Sequence, residues 1–281
     1  MAFNYIIPVI TAIPSGYQCD LVLPLDAIGA RLIDGEGNVV IRRRVYCEGE
    51  LLDSQETQVA FEGGICKQPL LNRFTAKITR DDGVTSAGYL ETAILSLDGD
   101  EIFSNHMPPG FYAILSTDGK KSVFTDGSLK FASPEIIGQI AKFGRYVDTY
   151  PIVHLDRDRD YGESLFCINP FKRGVLVQIL GSNGRSIKRT RVEPMSALIV
   201  PLNELLGRED CRWTGRVHLS ATNRLVVFTV KHSLSDPTLI NDLEHMDAFR
   251  AEPSHMSSLQ WLRQRVGKFL SNRGFMPFRV S

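Results

Sequence analysis

Glycine following aspartate or asparagine, set between short apolar runs, is the feature that most limits what this chain can fold into. Ala30-Arg31-Leu32-Ile33 meets Asp34-Gly35-Glu36-Gly37-Asn38 and is followed by Val39-Val40-Ile41-Arg42. Tyr112-Ala113-Ile114-Leu115 meets Thr117-Asp118-Gly119 and is followed by Ser122-Val123-Phe124. Leu176-Val177-Gln178-Ile179-Leu180 meets Ser182-Asn183-Gly184 and is followed by Ser186-Ile187-Lys188. Asp-Gly and Asn-Gly supply the positive φ angles that tight hairpins demand. The runs between them have strand length and are rich in β-branched residues. The expected fold class is mainly β: two tandem antiparallel β-sandwich-like lobes, with a short linking helix and a C-terminal amphipathic helix.

Two lobes are expected because the pattern comes twice. Cys19 to Arg44 resembles Cys167 to Arg191: an apolar strand, a break, then strand–turn–strand ending in basic residues. A glycine opens a late strand in each half, before Tyr89 to Leu97 and before Arg216 to Ser220. A length of 281 residues suits two such units. Between them Ser133-Pro134-Glu135 makes a helix start, with Ile136, Ile137, Ile140 and Phe143 on one face and Gly144 at the end. The expected division is 1–150, an N-terminal β lobe with its linking helix; 151–252, a second β lobe; and 253–281, a basic amphipathic helix and tail.

That last segment differs in kind. From Pro253 to Ser281 it holds Arg263, Arg265, Lys268, Arg273 and Arg279 and no acid, while the whole chain has a formal net charge of zero. Leu259, Leu262, Val266, Phe269 and Leu270 recur at helical spacing, and Trp261 sits among the bases. Trp261, Arg263, Arg265 and Lys268 are therefore candidate contacts to a protein partner or to an anionic membrane surface. Packing on its own β lobe is the bland reading of the same stripe.

Zero net charge gives no bulk attraction to nucleic acid, and the aromatic-strand signatures of RNA-binding modules are missing. Cys19, Cys47, Cys66, Cys167 and Cys211 are odd in number and widely spaced, with no CxxC, so reduced core thiols are expected rather than a zinc knuckle. The N-terminal apolar stretch carries no preceding base and is broken by Pro8, which argues against a signal peptide. The expected location is cytoplasmic.

Nucleophile elbows, SxxK and P-loops are absent, and Gly35-Glu36-Gly37 lacks the third glycine of a dinucleotide fingerprint. His154-Leu155-Asp156-Arg157-Asp158-Arg159-Asp160 offers alternating carboxylates, but the interleaved arginines pair with them, and the calcium-loop positions are wrong. His232, Asp236, Asp242 and His245 could serve metal binding or acid–base work, though they lack a defined ligand spacing. Trp213 and Tyr161 could line a ligand groove or close the end of a core. The reading is of a non-catalytic binding or scaffolding protein that engages a protein partner, an oligomeric copy or a small ligand. Its candidate binding residues are Trp213, Tyr161, His232, Asp236 and His245, and no cofactor or metal is expected. The competing readings are a metal-assisted enzyme centred on His232 to His245 and a peripheral membrane protein.

Overall fold

A computed structural model describes residues 4–10, 17–24, 38–60, 65–70, 87–100, 112–117, 121–126, 128–129, 147–149, 151–172, 174–182, 186–221, 225–235, 240–246, 249–250 and 266. The protein is mainly β, and its sheets are antiparallel. The first half contributes β1 (Asn4–Ile10), β2 (Tyr17–Pro24), β3 (Asn38–Cys47), β4 (Glu50–Ala60), β5 (Ile65–Leu70), β6 (Ala87–Leu95), β7 (Tyr112–Thr117), β8 (Lys121–Asp126) and β9 (Ser128–Leu129). The second contributes β10 (Val147–Thr149), β11 (Ile152–Asp156), β12 (Tyr161–Asn169), β13 (Val175–Leu180), β14 (Ser186–Val192), β15 (Ser196–Pro201), β16 (Arg212–Arg216), β17 (His218–Ala221), β18 (Val226–Ser233), β19 (Ile240–Met246) and β20 (Phe249–Arg250). A 3-10 turn, Asn203–Leu205, precedes β16.

These strands form four sheets. Sheet I runs β4-β3-β6-β1-β9 and sheet II runs β5-β2-β7-β8. Sheet III runs β16-β11-β12-β18-β19, with β15 also paired to β12, and sheet IV runs β14-β13-β17-β10-β20. Numbered by chain order within each sheet, sheets I and IV both read 3-2-4-1-5. Sheet II and the β15-β12-β18-β19 part of sheet III both read 2-1-3-4. The chain also visits the paired sheets in the same sequence, so nine strands of each half occupy corresponding places. Only β11 and β16 lack a counterpart among the described strands of the first half.

The strand order corrects the expected sequence match. It places β3 with β13 and β4 with β14, so Arg42 to Arg44 on β3 do not correspond to Lys188 to Arg191 on β14. β6 and β17 occupy matching places, but Gly215 lies within β16 and Arg216 ends it, so the expected glycine-led strand from Arg216 to Ser220 is divided between β16 and β17. Two of the three expected hairpins form, β7–β8 and β13–β14. The first arm of the third, Ala30 to Ile33, lies outside the described residues. Val40 to Arg42 already pair with β4 on one side and β6 on the other, and a strand has only two edges to offer. The expected linking helix at 133–143 lies outside the described residues. So does the C-terminal helix, apart from Val266, which is half exposed. Among the described residues no helix is long and apolar enough to cross a membrane.

The apolar runs in β12 and β18 are explained by burial on both faces. Leu165, Cys167 and Val227, with Val153 and Leu155 of β11, face sheet IV and pack with its Val177, Ile179 and Leu219. Phe166, Ile168, Val226, Phe228 and Val230 face the other way, against Ile6 and Tyr89 of sheet I, with Ile240 and Leu243 of β19. A strand that is covered on both sides cannot alternate apolar with polar residues. This second core joins the halves. Two contacts reinforce it: the Gly49 N–H donates to the Met195 carbonyl at 3.2 Å, and the Tyr89 hydroxyl lies 3.7 Å from the Met195 sulfur. Gly49 has φ of 87°, and an added Cβ would stand 3.3 Å from the Pro194 carbonyl oxygen. Cys167 is wholly buried, which pushes its thiol up to about 12. Cys167 and Cys211 are free thiols.

Candidate functional site

The polar residues of the second half gather where β11 turns into β12. The segment Arg157 to Asp160 is the turn of this hairpin, closed by Asp156 opposite Tyr161 and by the Asp160 N–H donating to the Arg157 carbonyl at 3.1 Å. Asp160 holds a left-handed φ of 53°, which aspartate tolerates better than most residues. Its carboxylate accepts from the Ser233 hydroxyl, from the Ser235 N–H at 2.7 Å and from the Ser235 hydroxyl at 2.8 Å. The Ser233 and Ser235 hydrogen bonds hold its pKa below the usual carboxylate value.

Asp156 lies beneath the turn, its side chain only 2% exposed. Arg212 Nε of β16 approaches it at 3.0 Å and Arg159 Nε at 3.8 Å, while the Arg159 N–H donates to it at 3.1 Å. Arg157 reaches the neighbouring loop, donating to the Arg208 carbonyl at 2.9 Å and the Asp210 carbonyl at 3.1 Å. Its own N–H donates to the Cys211 carbonyl at 2.8 Å. The loops 157–160 and 207–211 are thus cross-braced, while Asp158, Arg159, Arg208, Glu209 and Asp210 stay exposed. The interleaved arginines do pair with the carboxylates of this run, but through β16 as well as locally.

Tyr161 and Trp213 do not share a groove. Tyr161 stands opposite Asp156 and Trp213 opposite Leu155, successive residues of β11 that project to opposite faces. Trp213 packs on the core between sheets III and IV. Its ring lies over Gly215, where an added Cβ would fall 2.8 Å from Cζ2. Tyr161 faces His154, with ring centroids 5.7 Å apart, and its hydroxyl donates to Glu163 Oε1 at 3.5 Å. Burial, aided by the charge of Glu163, raises the phenol to about 12.

Glu163 was not visible as a site residue in the sequence. It is 2% exposed, and its Oε1 accepts the His154 N–H at 2.9 Å, tying β11 to β12 beyond their one backbone pair. Its Oε2 is buried without a hydrogen-bond partner. Burial raises its pKa against the opposing pull of that hydrogen bond and of Lys231. The available signal was a lone glutamate leading into Ser164-Leu165-Phe166-Cys167-Ile168, a run that covers both faces of its strand. Lys231, opposite Glu163, turns instead to Asp242 at 2.7 Å and Glu244 at 3.5 Å. Burial would lower this ammonium, but the Asp242 hydrogen bond and the surrounding negative charge raise it to about 12.

His232 is 3% exposed and uses both ring nitrogens. Nδ1 donates to the Ser233 carbonyl at 2.7 Å, and Nε2 lies 2.8 Å from the Ser164 hydroxyl. This is the geometry of a base beside a hydroxyl, but Ser164 is only 4% exposed and both groups are enclosed by packing. An added Cβ on Gly162 would sit 2.9 Å from the imidazole. His245 stands opposite Phe228, with ring centroids 5.2 Å apart. That is four residues along β18 from His232, on the order of 13 Å. Asp242, opposite Lys231, is used in the ion pair. Asp236, Trp261, Arg263, Arg265 and Lys268 lie outside the described residues. Among the described residues no three His, Cys, Asp or Glu side chains form a metal-binding group.

No known protein family model matches this chain, and no curated protein matches its sequence. Among solved structures it aligns with a glycosyl hydrolase family 2 member from Bacteroides cellulosilyticus DSM 14838 at 10% identity, over 88% of this chain and 28% of that one, with a TM-score of 0.18. It aligns with the β-glucuronidase of Ruminococcus gnavus at 12% identity, over 89% of this chain and 36% of that one, with a TM-score of 0.15. The chain therefore spans about a third of the length of these enzymes, and scores this low carry no argument about its fold or its chemistry.

Proposed function

We propose that the protein is a non-catalytic binding or scaffolding module, made of two related β-sandwich lobes, that engages a protein partner through the loops 157–160 and 207–211. The observation that carries this reading is the bracing of those loops. Asp156, Arg157, Asp160 and Arg212 are spent on holding them in place, and the side chains left at their tips are exposed charges of both signs. Exposed loops fixed by a rigid scaffold are where binding residues concentrate. The strands behind them, β11 and β16, are also those that only the second half has among the described residues, so the elaboration coincides with the braced surface.

Photo-crosslinking from positions 158 and 209 of the full chain, in an extract of the source cell, tests the reading. A protein cross-linked there should be lost when Asp158, Arg208 and Glu209 are changed together to Ala, with the melting temperature unchanged. If the same proteins are captured by the variant, or none is captured from these positions, the loops are not the binding surface.

A further inference from the structure

Two long strands end their sheets with opposite charge. β4 borders sheet I and β14 borders sheet IV, and each is paired on one side only among the described residues. They hold corresponding places in the two halves. β4 carries Glu50, Asp53 and Glu56 and no base; β14 carries Lys188, Arg189 and Arg191 and no acid. Glu50, Glu56, Lys188, Arg189 and Arg191 are exposed. Arg191 is partnered by Glu193 at 3.2 Å. An edge strand presents unpaired N–H and C=O groups to any strand of suitable register, and charge decides which strand is tolerated.

From this we infer that the protein self-associates, β4 of one copy adding antiparallel to β14 of another. Pairing β4 with β4 or β14 with β14 sets like charges face to face, so only the mixed pair is favoured. An antiparallel register with Glu56 opposite Lys188 also sets Asp53 opposite Arg191, because both pairs are separated by three residues on each strand. Residues opposite one another in such a ladder share a face, so both contacts can form together. The Gly49–Met195 hydrogen bond places the entry to β4 beside the exit from β14, on one side of the molecule. A two-fold axis on that side makes both junctions at once, β4 to the partner's β14 and β14 to the partner's β4, which closes the assembly as a dimer.

Sedimentation velocity on the full chain tests this with two variants. The first carries Glu50→Lys and Glu56→Lys; the second carries Lys188→Glu and Arg189→Glu. The unaltered chain should sediment at twice the monomer mass in dilute salt, and its dissociation constant should rise about tenfold or more at high ionic strength, since exposed charges are screened beyond about 10 Å. Each variant alone should be monomeric, and an equal mixture should recover the dimer. If either variant misfolds by circular dichroism, Glu50→Gln with Glu56→Gln replaces the first and Lys188→Gln with Arg189→Gln the second. These neutral pairs should dissociate more readily and show a weaker salt dependence, since Asp53 and Arg191 remain. A monomeric parent chain, variants that dimerise as the parent does, or a mixture that stays monomeric overturns the inference.

Discussion

Replacing Phe166 by Ala measures whether the two halves fold as one unit. Phe166 is fully buried, and its side chain belongs to the core that also contains Ile6 and Tyr89 from the first half. Phe to Ala at such a site costs about 3–5 kcal/mol, from lost transfer energy and the cavity left behind. The upper end is expected, because β12 is also held from the other face by Leu165 and Cys167 and so has little freedom to collapse inward. With a urea slope of about 3 kcal/mol per molar, the midpoint should fall by about 1–2 M. Far-UV circular dichroism follows the strands of both halves, whereas tryptophan fluorescence follows Trp213 and Trp261, both in the later part of the chain. The two signals should move together, as a single cooperative unit requires. Two separate transitions, of which the substitution shifts one, would sink the idea of a core shared between halves, as would a loss below about 1 kcal/mol.

Glu163→Gln should raise stability at neutral pH. The carboxyl pKa is raised in the folded chain, so its contribution is fully present below the unfolded value and is lost as pH rises through the folded one. Melts across that window should show the fall in the parent and its absence in the variant; a parallel fall in both refutes the assignment. Asp160→Asn should act in the opposite sense, since the Ser233 and Ser235 hydrogen bonds depress this pKa. The parent gains stability above the unfolded value and loses it as pH falls through the folded one, and the variant should lack that acid-side loss in calorimetry. Gly162→Ala should cost about 1–3 kcal/mol in denaturant unfolding, because its Cβ would meet Leu234 at 2.8 Å and His232 at 2.9 Å; unchanged stability would mean that both neighbours yield freely.

The alternation of turn residues with β-branched runs was enough to read a mainly β protein and to locate the β7–β8 and β13–β14 hairpins, because turn conformation and side-chain period are local properties. β4 was not legible. Leu51-Leu52-Asp53-Ser54-Gln55-Glu56-Thr57 shows little apolar alternation, and it becomes a strand through its ladder with β3. His232 and His245 read as neighbours because they are close in the chain, but antiparallel pairing sets one opposite Ile240 and the other opposite Phe228. Asp156 and Arg212 are far apart in the chain, and the β11–β16 ladder brings them directly opposite.

What the sequence by itself determined, then, is the kind of local structure: strands, their turns and the absence of a recognisable catalytic motif. Each follows from φ preference, side-chain period and residue chemistry within a few positions. Tertiary structure alone decided that β12 would be buried on both faces, that Glu163 would stand protonation-prone beside an apolar core, and that His232 would spend both nitrogens on internal partners. These depend on which strand lies across the ladder and which sheet lies across the core. One such core gathers Ile6 of β1 with Ile168 of β12 and Leu243 of β19, and no local preference encodes that meeting.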